Sequence, residues 1–356
     1  EPYRRQRQMC IRDRLGISME AILKGLVNFT GTDRRFQKKG VFNGITVVDD
    51  YAHHPDEITA TLNSAKMYPH NRIWCVFQPH TYSRTKALMP DFAKALVKGC
   101  DLAVNDAFGV SHRTHASIVG VGRLLPMVSG LLLKKEIDFL DGVIEHPERP
   151  FAAIIGGAKI SDKIQVIANL MEKADVILIG GGMANTFVAA QGYDMGESLQ
   201  DKDRFDLARN LMKKANDLGS SIMLPVDFMA GDSFSAEAKT KVLSAEEFSS
   251  PWMALDIGPK TIDLYVETLQ KMKTVVWNGP MGVFEMEPFS KGTYAIAKAM
   301  ASLNATTVIG GGESASVVDQ LGIGDKFSHV STGGGASLEM LEGMILPGVA
   351  ILADKE

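Results

Sequence analysis

The chain has 356 residues, 45% hydrophobic and 22% charged, a length that exceeds the usual single domain and a composition that excludes disordered and fibrous classes. Its net charge of −4, from 38 Lys+Arg against 42 Asp+Glu, offers no global attraction for nucleic acid or an anionic membrane, so neither is an expected partner and phosphate chemistry must rest on local placement. Cys10, Cys75 and Cys100 show no CxxC spacing, which argues against a disulfide framework or a zinc site and for a reducing cytoplasm.

The first fifteen residues are basic, without the apolar stretch and cleavage site of a secretory signal, and are expected to be an arm outside the fold, disordered or artefactual. ITVVDDYAHHPDEITATLNSA (45–65) reads as a strand, a loop and a helix beginning near Pro55, and RIWCVFQPHTYSRTKALMPDFAKAL (72–96) repeats that scheme. These loops are rich in His, Asp and Arg. The adjacent His53 and His54 suggest a metal pair, but neighbouring residues point apart, so no metal is expected there. LLPMVSGLLL (124–133) is too short for a membrane span and reads as a core helix.

From Phe151 onward a short apolar run repeatedly ends in glycines and gives way to a helical stretch. FAAIIGG (151–157), VILIGGG (176–182), SIMLPVDF (221–228), TVVWNGP (274–280) and TTVIGGG (306–312) are the clear cases, with FSHVSTGGG (327–335) a weaker sixth. Apolar runs without alternation suit strands buried on both faces. Segments such as 162–174 and 204–219 carry apolar residues at helical spacing, the latter closed by Gly219. The fold class is therefore α/β, a doubly wound parallel sheet forming a Rossmann-like nucleotide domain, preceded by a smaller α/β fragment. Right-handed crossovers would bring the glycine clusters to one edge of the sheet, where open α/β sheets bind their ligands.

GGAKISDK (156–163) follows a strand and opens a helix, so Gly156 and Gly157 would let backbone N–H groups approach phosphate oxygens. Lys159 and Lys163, four apart, would share one helical face and offset charge on a transferring phosphoryl group. The segment is not the phosphate-loop pattern GxxxxGK[ST]. Three consecutive glycines recur in IGGGM (179–183), IGGGES (309–314) and STGGGAS (331–337), and NGPMGVFE (278–285) adds the carboxylate of Glu285 for a ribose hydroxyl or a metal. Arg113 and Arg149 offer bidentate grips for phosphate or carboxylate.

NDAFGVSHRTHAS (105–117), HPERPFAAIIGGAKISDK (146–163), LPVDF (224–228), DIGPKT (256–261), VVWNGPMGVFE (275–285), IGGGES (309–314) and STGGGASLEML (331–341), in this order, resemble the phosphoglycerate kinase family from about residue 97 to the C-terminus. The resemblance implies a monomeric, cytoplasmic, hinge-closing enzyme of glycolysis. It would move a phosphoryl group between 1,3-bisphosphoglycerate and ADP, with 3-phosphoglycerate and ATP as the other pair and Mg as the metal. It implies that Arg113 and Arg149 contact the phosphoglycerate. Gly157, Ala158, Lys159, Asp162, Lys163, Gly180, Gly181, Gly258, Glu285, Gly311, Gly312, Glu313 and Ser314 would contact the nucleotide. Lys159 and Lys163 would act on the moving phosphoryl group with N–H donors from Gly333, Gly334 and Gly335, and Glu313 would be the metal ligand.

The sequence also departs from that family. Its DxN loop, catalytic arginine and HxGR segment do not occur upstream of residue 97, which implies slow phosphoryl transfer or an ATP- and ADP-binding fragment without catalysis. Position 313 is Glu where the family usually has Asp, and Glu197 in MGESL stands where many bacterial relatives have a nucleotide-binding Lys. NFTGTDRRFQKKG (28–40), VVDDYAHHPDEI (47–58) and VFQPHTYSRTKAL (76–88) instead resemble the C-terminal domain of UDP-N-acetylmuramate–alanine ligase over residues 16–96. That resemblance implies ATP and amino-acid contacts at Asp50, His53, His80 and Arg84, although the phosphate loop of such a ligase is absent. The two likenesses meet at FAKAL (92–96), as in a chimera. The domains expected are thus 1–15 as an arm, 16–96 as the ligase-like fragment, 97–150 as the remnant of a kinase N-terminal domain and 151–356 as the nucleotide domain.

Overall fold

The computed structural model describes residues 15–29, 31–80 and 82–353. It divides into two compact units, Glu1–Lys98 and Gly99–Glu356.

In the first unit, helix α1 (Met19–Asn28) precedes an antiparallel hairpin of β1 (Gln37–Phe42) and β2 (Ile45–Asp49). Helix α2 (Pro55–Lys66) begins at Pro55, with the His54 side chain accepting from Asp56 N–H as its cap. Short helix α3 (Tyr82–Ala87) and α4 (Met89–Val97) complete the unit. The strand expected within 72–80 does not form: β2 pairs with β1 alone, and Trp74 and Val76 stand 71% and 98% exposed. An extended segment becomes a strand only where a neighbour completes its ladder. The arm at 1–14 lies outside the described residues.

The second unit opens with two parallel strands, β3 (Ala103–Asn105) and β4 (Met127–Ser129), followed by α5 (Leu131–Glu145). The helix expected over 124–133 is thus a strand and the start of a helix, because Pro126 and Gly130 interrupt it and Gly130 caps α5. The main sheet is fully parallel. It contains β5 (Phe151–Ile155), β6 (Val176–Ile179), β7 (Ser221–Met223), β11 (Thr274–Asn278), β12 (Thr306–Gly310) and β13 (His329–Val330), in the spatial order β13-β12-β11-β5-β6-β7. A separate antiparallel sheet is built from β8 (Asp227–Gly231), β9 (Thr240–Ser244) and β10 (Met253–Ile257). SIMLPVDF therefore spans two strands in two sheets, since Pro225 has no N–H to continue a ladder.

Both faces of the main sheet are covered, which explains why its strands lack alternation. Phe151, Ala153, Ile155, Ile177 and Val276 pack toward one layer, which includes α6 (Ile164–Met171), α7 (Gly182–Ala190), α8 (Phe205–Asp217) and α12 (Gly334–Leu341). Ala152, Ile154, Leu178, Val275 and Trp277 face the other layer, made by α9 (Pro259–Leu269), α10 (Lys291–Ala301) and α11 (Gly312–Gln320). The expected C-cap glycine follows α8: Gly219 has φ +78°. A last short helix, α13 (Pro347–Ala350), returns the chain to the start of the unit. There Asn105 Nδ2 donates to Gly348 O at 3.0 Å and Ala353 N–H donates to Met127 O at 2.8 Å.

Candidate active site

The sheet order places β5, the first strand of the parallel set, beside β11, the fourth, so the chain leaves these neighbours in opposite directions. This is the switch point at which an open α/β sheet leaves a crevice beyond its carboxyl edge. Four glycine loops meet there: those after β5, β6, β11 and β12. The loops approach so closely that side chains are excluded. A Cβ on Gly156 would lie 2.0 Å from Pro280 O, and one on Gly279, at φ +92°, would lie 2.3 Å from Gly156 O. The contacts are backbone hydrogen bonds: Gly156 N–H donates to Asn278 O at 2.9 Å, Gly157 to Pro280 O at 3.2 Å, Gly180 to Ile155 O at 3.0 Å and Gly181 to Met281 O at 2.8 Å.

The amides of Gly157, Gly180 and Gly181, expected to face phosphate, thus join the loops to one another. Ser314 behaves likewise: it is fully buried, and its hydroxyl accepts from Gly279 N–H at 2.7 Å. Gly311 at φ +92° is the N-cap of α11, whereas Gly312 and Glu313 are exposed in its first turn, where no helical carbonyl reaches the N–H groups. Free first-turn amides of this kind are suited to an anion.

Lys163 is the cation beside it. Its ammonium donates to Asn278 Oδ1, while Asn278 Nδ2 donates to Gly310 O at 3.1 Å, so one buried amide ties the lysine to the β12 loop. Burial pushes the Lys163 ammonium below the usual lysine range, opposed by the negative charges of Glu313, Asp162 and Glu342. Lys159 and Lys163 do not share a helical face. Lys159 is extended, with φ −128° and ψ 140°, a 3-10 turn spans Ile160–Asp162, and α6 starts only at Ile164. Lys159 and Ala158 are exposed at the mouth, as is Asp162, which accepts from Ser161 Oγ at 3.2 Å.

Across from α11 stands the Gly333–Gly335 loop, whose Gly334 faces Gly312 N. Gly333 N–H is taken by Ser331 Oγ at 3.2 Å, leaving Gly334 and Gly335 as first-turn donors of α12. A Cβ on Gly333 would lie 2.5 Å from Phe108, and one on Gly335 3.1 Å from His112 Nε2, so the segment around Arg113 packs against this loop. Arg113 Nε donates to His112 Nε2 at 3.1 Å, and His112 Nδ1 is buried without a partner. Burial lowers the pKa of His115, with the nearby Arg113 and His112 adding to the effect. Arg113 therefore carries the positive charge of this group, with the two imidazoles beside it.

Beneath the loop is a buried network. Glu136 accepts from His329 Nε2, from Thr332 N–H and from Thr332 Oγ1, each at 2.7 Å, and both Glu136 and His329 are nearly inaccessible. His329 Nδ1 has no partner, so the ring carries its proton on Nε2. Burial alone would raise the Glu136 pKa. The hydrogen bonds from His329, Thr332 and Ser331 outweigh it and hold the carboxyl below its ordinary value.

Three other expected residues sit elsewhere. Arg149 precedes β5 and so lies at the amino edge of the sheet, opposite the glycine loops; its guanidinium pairs with Asp175 and donates to Lys173 O at 2.9 Å. It is not part of this crevice. Gly258 is buried as the N-cap of α9 and donates to Asp227 O at 2.8 Å, at the end of the separate three-stranded sheet. Glu285 is exposed on the loop after β11. In the first unit, Asp50 accepts from Phe36 N–H at 2.7 Å and from Ala52 N–H at 2.8 Å, and His53 Nδ1 meets Tyr51 O at 2.8 Å. His80 is edge-on to Tyr51, 5.3 Å between centroids. The Arg84 side chain lies outside the described residues. Among the described residues, no group of three or more His, Cys, Asp or Glu is arranged to hold a metal, and no helix is long and apolar enough to cross a membrane. Asn278, Glu136, His329 and His112 were not evident from the sequence, since each matters through a partner distant along the chain.

Comparison with known proteins identifies the family. The family model described as phosphoglycerate kinase matches residues 51–344, so the family likeness begins at residue 51 and not near 97, inside the segment expected to be ligase-like. Phosphoglycerate kinase from Roseiflexus sp. (strain RS-1) is 54% identical over 271 residues, covering 76% of this chain and 69% of the relative. The cytosolic phosphoglycerate kinase of Nicotiana tabacum is 52% identical over 277 residues, covering 77% and 69%. The structure of phosphoglycerate kinase from Coxiella burnetii superposes with a TM-score of 0.71 at 41% identity, over 74% of this chain and 68% of that one. With the family model spanning residues 51–344 and relatives more than 50% identical over more than two thirds of their own length, the chain belongs to the phosphoglycerate kinase family.

Proposed function

We propose that this chain transfers a phosphoryl group between the acyl phosphate of 1,3-bisphosphoglycerate and ADP, in the crevice between the first turn of α11 and the Gly333–Gly335 loop. The observation that carries the reading is the convergence of Lys163, Asn278 and two unsatisfied helix starts at the sheet's switch point. The Gly312 and Glu313 amides receive the nucleotide phosphates. Lys163, held by Asn278, offsets charge on the moving group, and Gly334 and Gly335 donate to its equatorial oxygens. Arg113, with His112 and His115 beside it, attracts the anionic phosphoglycerate. Glu313 suits magnesium, which takes one or two carboxylates and otherwise phosphate oxygens; its exposed carboxylate acts on Lys163 and needs no wider acidic cluster. The ion would supply charge neutralisation. Lys159 and Asp162 border the nucleotide in this reading.

Turnover is slow in this proposal. Phosphoryl transfer depends on positioning plus charge stabilisation, and with Arg149 on the opposite edge, Arg113 is left as the one guanidinium of the expected pair. Sequencing an amplicon across the Phe92–Leu96 codons tests the expected fusion, against which the family match from residue 51 stands. The protein is read as monomeric and cytoplasmic. Calorimetry with ADP and ATP, beside a coupled phosphoglycerate assay, tests the function. Nucleotide binding with weak turnover is expected. Turnover equal to an ordinary kinase refutes the impairment, and absence of nucleotide binding refutes the assignment.

A further inference from the structure

Away from the crevice, the second unit carries a groove of about 210 Å³ between α5 and the chain that follows α12. That is space for roughly seven waters at ~30 Å³ each, enough for one aromatic ring and a short chain. Leu140, Ile144 and Leu346 line it and are buried, while Met344 and Ile345 at the mouth are 48% and 80% exposed. The α5 wall presents Ile137, Leu140, Asp141, Ile144 and Glu145, spaced as a single helical face that is apolar below and acidic at the rim. Glu145 is neutralised by Lys173, whereas among the described residues no cation pairs with Asp141. A groove with an apolar floor of Leu140, Ile144 and Leu346 and one uncompensated carboxylate at its rim selects its ligand by charge as well as by shape.

We propose that this groove binds a small organic cation with an apolar body, of the arylalkylammonium class. The ring displaces water from Leu140, Ile144 and Leu346, and the ammonium sits at Asp141, which repels a carboxylate of the same shape. Its walls are continuous with the elements that bear Glu136 and Gly334, so the ligand rests on the same rigid pieces that hold the Gly333–Gly335 loop.

The test is a titration of 2-phenylethylammonium into the full chain carrying ¹³C-methyl methionine, with 3-phenylpropanoate as the isosteric anion. Saturable shifts of the Met340 and Met344 methyls are expected with the amine and none with the acid. Asp141 is exposed, so its variants should unfold at the parent midpoint, and D141N should weaken the amine about three- to fivefold, the range of a single exposed ion pair. D141K should reverse the preference, so that the acid shifts the methyls and the amine does not. Equal shifts from amine and acid in the parent protein, no shift from either, or an unchanged preference in D141K would overturn the proposal. Because the methyls report occupancy and not turnover, the result is independent of the kinase assignment.

Discussion

Replacing Glu136 by Gln tests whether the buried network holds the Gly333–Gly335 loop. The amide keeps an oxygen for Thr332 but turns its NH₂ toward His329 Nε2, which is itself a donor. His329 can move its proton to Nδ1, yet that atom is buried without a partner, so either arrangement leaves one buried donor unsatisfied, at about 1–3 kcal/mol. Glu136→Ala orphans the His329 and Thr332 donors together and should cost more, about 3–5 kcal/mol. Urea unfolding measures both. A loop displaced by about 1 Å from its productive position should also lower kcat by up to about 100-fold, read in a coupled assay. The acid limb gives a second check: because the folded pKa of Glu136 is depressed, its contribution is complete above about pH 4.5 and is lost as pH falls through the lower folded value. Glu136→Gln should remove that component. If the variant unfolds within about 0.5 kcal/mol of the parent and turns over normally, the network does not position the loop.

Asn278→Leu should leave the half-buried Lys163 ammonium without its acceptor, raising KM for nucleotide and moving the alkaline limb of kcat/KM to lower pH. Asn278→Asp, which adds a charge beside Lys163, should move that limb upward; equal limbs in both variants would show that Asn278 does not govern the lysine. Asp256 is buried, and desolvation raises its pKa from 3.8 to about 7 against the hydrogen bonds it accepts from Gly292 and Ile257. The stability it contributes is full below pH 3.8 and lost as pH rises through about 7, a swing of order 4 kcal/mol at ~1.36 kcal/mol per unit. Urea midpoints of Asp256→Asn should be flatter across that window than those of the parent. Arg149→Ala should leave the KM for phosphoglycerate unchanged and cost less than about 1 kcal/mol, since its ion pair is exposed; a large rise in KM would return Arg149 to the site.

How much of this was legible in the sequence depends on the range of the interaction. The main strands were readable because a strand buried on both faces needs an unbroken apolar run, as in Ala152–Ile155. Their glycine endings were readable as well, but not what the glycines do: a phosphate cradle and a close crossing of two loops both forbid a Cβ. Only the structure separates Gly312, with open space around its Cβ position, from Gly156, which has none. Lys159 and Lys163 misled because spacing of four implies one face only inside a helix, and α6 begins after both. Arg149 was expected at the substrate from the family resemblance, whereas its place before β5 puts it at the other end of that strand. The strand between it and Gly156 is extended, so at ~3.3 Å per residue the two stand about 20 Å apart.

The residues that orient the site were invisible for a different reason. Asn278 meets Lys163 across 115 residues, and Glu136 meets His329 across 193. Neither has a local signature, since an Asn before a glycine reads as a turn and a Glu within a helix reads as a solvated face. What distinguishes Glu136 is that it is wholly inaccessible on an otherwise amphipathic helix, a cost the fold tolerates because three donors converge on it. A carboxylate buried beneath the loop holds its position through Thr332 without occupying the crevice. In the proposed reaction Gly334 and Gly335 would therefore depend on a residue that never touches the substrate, and variation at Glu136 should act only through the geometry of that loop.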